Sequence, residues 1–145
     1  MLESGVLTPY YTTKVKLINN VNYSFKIKAR NDVGFSLYSE SITILAAMIS
    51  DAPLNLMNVP SITTAYQIGL TWIPGLFDGG TPVIDYRVSF KEESTADYRI
   101  FVTNNTIIPF TVTGLVPGVW YVFVVEARNL VGYSYYSEST TILAA

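Results

Sequence analysis

The chain has 145 residues and a formal net charge of −2; half of its residues are hydrophobic and only 14% are charged. It has neither a basic run for neutralising phosphates nor an apolar run near the roughly 20 residues that cross a bilayer, so we expect no nucleic-acid partner and no membrane span in this fragment. The absence of cysteine and histidine excludes disulfides, thiolate nucleophiles, Cys/His metal sites and a histidine general base.

Residues 1–47 carry the pattern of three β-strands, at positions 11–17, 22–30 and 35–45. In the second of these, Tyr23, Phe25 and Ile27 alternate with polar residues, which places them on one face of a strand. Three strands offer one apolar face and no second layer to cover it. We therefore interpret residues 1–47 as the C-terminal part of a domain.

Residues 53–145 carry the pattern of a complete domain, which follows a short linker at residues 48–52. Strands are expected at 54–59, 66–73, 84–90, 98–102, 110–115 and 121–127, with a last one that starts near Tyr133. In the strand at 84–90 the alternation points Ile84 inward and Asp85 outward. Seven short strands separated by turn residues predict an all-β sandwich.

One stretch occurs twice. Residues 29–47 read ARNDVGFSLYSESITILAA and residues 127–145 read ARNLVGYSYYSESTTILAA, with only four differences in nineteen positions. The offset is 98 residues, close to the roughly 100 residues of an immunoglobulin-like sandwich. Such self-similarity at a fixed period predicts a tandem repeat, with residue 1 in the middle of a unit.

A motif in residues 115–134 resembles the last third of a fibronectin type III domain. It reads Leu-x-Pro-Gly-x-x-Tyr from Leu115 to Tyr121 and, after alternating apolar residues, Ala-x-Asn-x-x-Gly-x-Ser from Ala127 to Ser134. The resemblance implies an immunoglobulin-like β-sandwich in which Tyr121 forms a tyrosine corner, its hydroxyl bonded back to nearby backbone. It also implies a core centred on Trp72, Tyr86, Leu115, Tyr121, Phe123 and Val125.

Residues 133–137 read Tyr-Ser-Tyr-Tyr-Ser, which resembles the Trp-Ser-x-Trp-Ser signature of cytokine-receptor domains of the same family. The resemblance implies that Arg128, on the neighbouring strand, stacks on Tyr133 and Tyr136. Tyrosine replaces tryptophan throughout, so receptor function does not carry over. A structural brace is the favoured interpretation.

Two loops are apolar where loops are normally polar: one contains Leu76 and Phe77, the other Leu130 and Val131. We expect both at the end where the chain enters the complete domain, and we favour packing against the preceding repeat over a ligand site. With the aromatic brace, the interface candidates are Leu76, Phe77, Leu130, Val131, Tyr133, Tyr136 and Arg128.

Polar side chains offer little catalytic chemistry. Five acidic residues are expected to lie on the surface, because no nucleophile, set of metal ligands or D-x-D spacing accompanies them: Glu92, Glu93, Asp78, Asp85 and Asp97. Two Asn-x-Ser/Thr sequons make Asn104 and Asn22 glycosylation candidates if the protein is secreted.

These patterns favour a non-catalytic structural or adhesive repeat module, without cofactor or metal, that contacts neighbouring repeats or other copies of itself. The alternative is an accessory binding module of a larger receptor or enzyme. An extracellular or cell-surface location is expected, with a cytoplasmic or cytoskeletal array as the alternative. The strands that residues 1–47 need come either from elsewhere in the full protein, which we favour, or from another copy, which would make a filament.

Overall fold

The computed structural model describes residues 1–145, which form β-strands, turns and loops. They divide into two compact units, Met1–Ala47 and Met48–Ala145. The chain contains no helix with the length and hydrophobicity that a membrane crossing needs. The strands are β1 (Val21–Phe25), β2 (Ile42–Ala46), β3 (Leu54–Asn58), β4 (Gln67–Ile73), β5 (Asp85–Glu92), β6 (Arg99–Asn105), β7 (Phe110–Thr113), β8 (Trp120–Arg128) and β9 (Thr140–Leu143).

The first unit contains a two-stranded antiparallel sheet, in which Tyr23 of β1 lies opposite Ile44 of β2. The prediction of three strands is wrong here, because residues 11–17 form no strand and regular pairing covers only part of the other two segments. A strand is held by hydrogen bonds to its neighbours, and β1 has no neighbour on its second edge. Regular pairing of β1 therefore ends at Phe25.

The second unit is a sandwich of two antiparallel sheets. One has three strands in the order β3-β4-β7, and the other has four in the order β6-β5-β8-β9. This arrangement confirms the predicted all-β, immunoglobulin-like sandwich with seven strands.

The core lies between these two sheets. Alternate residues of β4 and β8 supply much of it, because successive side chains of a strand point to opposite faces. All residues of the expected core are buried and belong to one cluster: Trp72, Tyr86, Leu115, Tyr121, Phe123 and Val125. The rings of Trp72 and Tyr86 meet edge to face, with their centroids 5.4 Å apart.

The opposite face of the four-stranded sheet is also covered, which the alternation of β5 did not indicate. Asp85, expected to face solvent, is only 4% exposed, whereas Ile84, expected to face the core, is about half exposed. Glu126 on the neighbouring β8 is buried as well. The segment that follows β8 returns along this face and shields these polar residues.

The returning segment is irregular up to residue 139, so the last strand starts later than predicted. Serine hydroxyls replace part of the strand ladder there: Ser134 Oγ accepts from Ala127 N, and Ser137 Oγ from Val125 N, both at 3.0 Å. The backbone N–H of each serine donates to the carbonyl of the same residue of β8. These contacts satisfy the backbone N–H and C=O groups of Val125 and Ala127 at the edge of β8 without regular strand pairing.

Residues 48–52 were expected to be a linker but pack into the second unit. Met48 N donates to Gly79 O at 2.9 Å, and Asp51 N donates to Phe77 O at 2.8 Å. Ser50 between them is buried. The second unit therefore begins at Met48.

The hydroxyl of the buried Tyr121 accepts a hydrogen bond from Val116 N at 3.1 Å, which is the geometry of a tyrosine corner. Replacing Tyr121 with phenylalanine is expected to lower the free energy of unfolding of the second unit by about 1 kcal/mol, because one hydrogen bond is lost. Urea unfolding measures this loss. The exposed Tyr66 makes no side-chain hydrogen bond, so Tyr66→Phe is the matched control; equal stability of both variants would contradict the role of the corner.

Candidate functional site

An ionic and aromatic ladder crosses the outer face of the four-stranded sheet. Arg87 on β5 forms a two-pronged ion pair with Glu126 on β8, with Nε–Oε2 and Nη2–Oε1 distances of 2.6 Å. The guanidinium of Arg87 also lies 3.9 Å from the ring centroid of Tyr133. The hydrogen bonds that Arg87 donates to Glu126 raise the pKa of Arg87, while burial opposes that rise. Arg87 therefore remains charged inside a partly buried site.

Arg128 lies on the same face, two residues further along β8 than Glu126. Its guanidinium pairs with Asp85, donates from Nη2 to Asn104 Oδ1 at 2.9 Å and lies 5.6 Å from the ring of Tyr133. The hydrogen bond to Asp85 raises the pKa of Arg128. The expectation that Asp85 is a surface acid is wrong, because Asp85 is the buried counter-ion of this arginine.

Tyr136 lies further along the same face. Its ring packs against Tyr98, with centroids 5.6 Å apart, and the Lys91 ammonium lies 5.4 Å from the Tyr98 ring. No contact joins Arg128 to Tyr136, so the stacking expected there is confined to Tyr133.

Arg87 and Glu126 were not among the predicted site residues. Their opposite charges, at paired positions of neighbouring strands, were the signal that could have indicated this ion pair.

The loops at the N-terminal end of the second unit are clamped by Asn129. Its buried amide donates from Nδ2 to Met48 O and to Asp78 O, both at 2.8 Å. Its Oδ1 accepts from the backbone of residues 131 and 132. Gly79 fits under this clamp with φ of +84°, where an added Cβ would come within 2.1 Å of Met48 O. The clamp therefore holds the loop after β4 against the loop after β8.

Apolar side chains project from these clamped loops. Leu76 is 91% exposed, Leu130 is 78% exposed and Val131 is half exposed, whereas Phe77 is half buried. The loop after β6 begins at the same end of the sheet, because Asn105, the last residue of β6, pairs with Tyr86 beside Asp85. It adds the exposed Ile107, which the sequence analysis did not select although two consecutive isoleucines in a loop were visible. We call Leu76, Leu130, Val131 and Ile107 the N-terminal loop surface.

Both sequon asparagines are exposed. Asn104 is the penultimate residue of the edge strand β6 and uses Oδ1, not the amide nitrogen that carries a glycan, to contact Arg128. Asn22 lies within β1. Of the remaining acids, Glu92 is half buried and Glu93, Asp78 and Asp97 are exposed, and the chain contains no cluster of three or more acidic residues that could hold a metal ion.

Comparison with known families gives one match, to the fibronectin type III domain, over residues 51–142. A solved structure of a segment of titin superposes with a TM-score of 0.69 and 21% identity, covering 88% of this chain and 42% of that one.

Two curated relatives are titin of Drosophila melanogaster and neuronal cell adhesion molecule of Mus musculus. The first is 34% identical over 128 residues, and the second is 30% identical over 125 residues. The matches cover 86% and 85% of this chain, respectively. The chain spans 1% of the length of that titin and 10% of the length of the adhesion molecule.

Proposed function

Because the chain belongs to the fibronectin type III family, we propose that it is a non-catalytic structural or adhesive module of a tandem array, acting by contact with neighbouring repeats or other copies. The module occurs in proteins named titin and neuronal cell adhesion molecule, which supports a structural or adhesive role. The ionic and aromatic ladder has its charges paired internally, which supports its role as a brace.

The observation that carries the proposal is the N-terminal loop surface. Apolar side chains that project from a fixed scaffold mark protein contact sites, since burying them releases water without first ordering a mobile loop. The Asn129 clamp and Gly79 provide the fixed scaffold. Leu76 and Leu130, nearly fully exposed, have the most apolar area to bury.

Changing Leu76 and Leu130 to aspartate is expected to weaken self-association of the full chain at least about tenfold, since each leucine buries up to roughly 3 kcal/mol of apolar transfer energy in a contact. Sedimentation equilibrium measures the dissociation constants. The matched control is Val116→Asp, in an exposed loop at the opposite end of the same unit. A wild-type chain that stays monomeric would contradict contact between copies, and a control that weakens association equally would contradict the role of the N-terminal loop surface.

Asn104 is expected to carry a glycan when the protein passes through a secretory pathway, because it is exposed at the end of an edge strand with its amide nitrogen free. Intact-mass measurement of native protein checks this prediction. Thr106→Ala removes the sequon but keeps the contact of Asn104 with Arg128, so it should remove the added mass. An unmodified wild-type mass would favour a cytoplasmic array or a sequon that is never used.

A further inference from the structure

The two units build the same strand pair. Tyr23 lies opposite Ile44 in the sheet of β1 and β2, and Tyr121 lies opposite Ile142 in the pairing of β8 with β9. The hydroxyl of Tyr23 accepts from Ile18 N at 2.8 Å, which repeats the tyrosine corner of the second unit. Each residue of the first unit here corresponds to the residue 98 positions later.

The correspondence continues beyond β1. Ser36 N donates to Ala29 O at 2.8 Å, as Ser134 N donates to Ala127 O at 2.7 Å. In the first unit Ser36 Oγ accepts from Ala29 N, and in the second unit Ser134 Oγ accepts from Ala127 N, each at 3.0 Å. Residues 24–30 therefore have the backbone arrangement of residues 122–128, although they lack strand pairing on their second edge.

What the first unit lacks is the strand that corresponds to β5. In the second unit β5 pairs with the whole length from Tyr121 to Arg128, and the intervening Phe123 is fully buried. In the first unit Ile42 and Ile44, on the apolar face of the pair, are 60% and 51% exposed. A free strand edge beside an uncovered apolar face is a site for addition of a strand.

The charges along this edge differ between the units. Arg87 of β5 lies opposite Glu126, and the residue that corresponds to Glu126 is Lys28. Asp85 lies opposite Arg128, whose counterpart is Arg30. A strand with the charges of β5 would thus place an arginine opposite Lys28, and like charges directly opposite each other destabilise a strand pair.

The cations of this edge are not neutralised within the unit. Lys26, Lys28 and Arg30 are exposed and form no ion pair. The ammonium of Lys28 lies 4.2 Å from the ring centroid of Tyr38, and the guanidinium of Arg30 lies 5.7 Å from that of Phe35. These rings stabilise the cations on one side and leave the strand edge with unpaired positive charge.

We propose that the free edge formed by β1 and its continuation to Arg30 is completed by an acidic β-strand from outside residues 1–145, in which carboxylates opposite Lys28 and Arg30 alternate with apolar residues. The inference deepens the proposed protein-contact function by specifying one partner. No two acidic residues are spaced two apart anywhere in this sequence, so no strand of a second copy has the required pattern. Completion by a second copy, and the filament it would build, is therefore disfavoured.

A full chain extended before Met1 by a second copy of residues 48–98 tests the proposal, because this copy supplies the counterparts of β3, β4 and β5 at the repeat spacing. Two versions of the extended chain are compared. One keeps the arginine that corresponds to Arg87 in the added copy, and the other carries Arg87→Glu in that copy only; the original Arg87 is unchanged in both. Hydrogen exchange of the amides of residues 24–30 is expected to be about tenfold slower with glutamate, since an opposite-charge pair replaces a like-charge pair. If both versions exchange more slowly than the unextended chain and the arginine version is equally slow or slower, the chain's own strand is the fitting partner and the proposal is overturned. Unchanged exchange in both versions would show that the edge accepts no strand.

Charge reversal on the other strand provides the control. Lys28→Glu in both extended chains should reverse the order, so that the version with arginine now exchanges more slowly, whereas Lys16→Glu should leave the order unchanged. This experiment reports only on the first unit. The sedimentation experiment on Leu76 and Leu130 reports on the second unit, so the two proposals can fail separately.

Discussion

Replacing Trp72 with alanine is expected to lower the free energy of unfolding of the second unit by about 3–5 kcal/mol, the range for truncating a core aromatic side chain. Trp72 is 3% exposed and contacts Tyr86 edge to face across the interior between the two sheets. Its removal leaves a cavity that the strands on either side cannot close without breaking their pairing. Urea unfolding followed by the fluorescence of Trp120, the other tryptophan of the chain, measures the loss.

Trp72→Phe separates packing from polarity. The indole Nε1 of Trp72 is buried and has no hydrogen-bond partner, so this substitution removes a costly unsatisfied donor while it keeps an aromatic ring. We expect the phenylalanine variant to lose less than half as much stability as the alanine variant. A loss below about 1 kcal/mol for Trp72→Ala would contradict the central packing role of this residue.

The sandwich could be predicted because its central strands have a period of two. Ile68, Leu70 and Trp72 alternate in β4, and the motif from Leu115 to Tyr121 marks the start of β8. Such local patterns specify which face of a strand is buried. The apolar composition of two loops likewise indicated Leu76, Leu130 and Val131, which project at the N-terminal end of the second unit, but not Ile107.

The predictions that failed depended on contacts distant in sequence. Arg87 and Glu126 are 39 positions apart, and no periodicity within β5 indicates that its outer face is covered by residues after β8. The segment at 11–17 has strand-forming residues but no partner edge. The late start of β9 follows from serine hydroxyls that occupy ladder positions, a choice that the side-chain pattern of residues 133–139 leaves open.

Replacing Glu126 with alanine is expected to lower the free energy of unfolding of the second unit by about 3 kcal/mol, the low end for breaking a buried ion pair from one side. The low end applies because the Arg87 side chain retains 24% exposure while Glu126 retains only 8%. Without its carboxylate, Arg87 would stay charged, partly desolvated and held only by the ring of Tyr133. Urea unfolding with the same Trp120 fluorescence measures the change.

A double-mutant cycle decides whether this loss belongs to the pair. Arg87→Ala alone removes the cation but leaves Glu126 buried without its counter-ion, so it should also destabilise the unit. The double variant removes both charges, and its loss should be smaller than the sum of the two single losses by about 1–2 kcal/mol, because neither charge is then left unpaired. The exposed pair of Lys14 with Glu3 in the first unit is the matched comparison, since solvent screens both partners and their coupling should be much weaker than that of Arg87 with Glu126. Simple additivity at Arg87 and Glu126 would show that the ladder contributes only the packing of its separate side chains, and that the face covered by residues 133–138 is not stabilised by its charges.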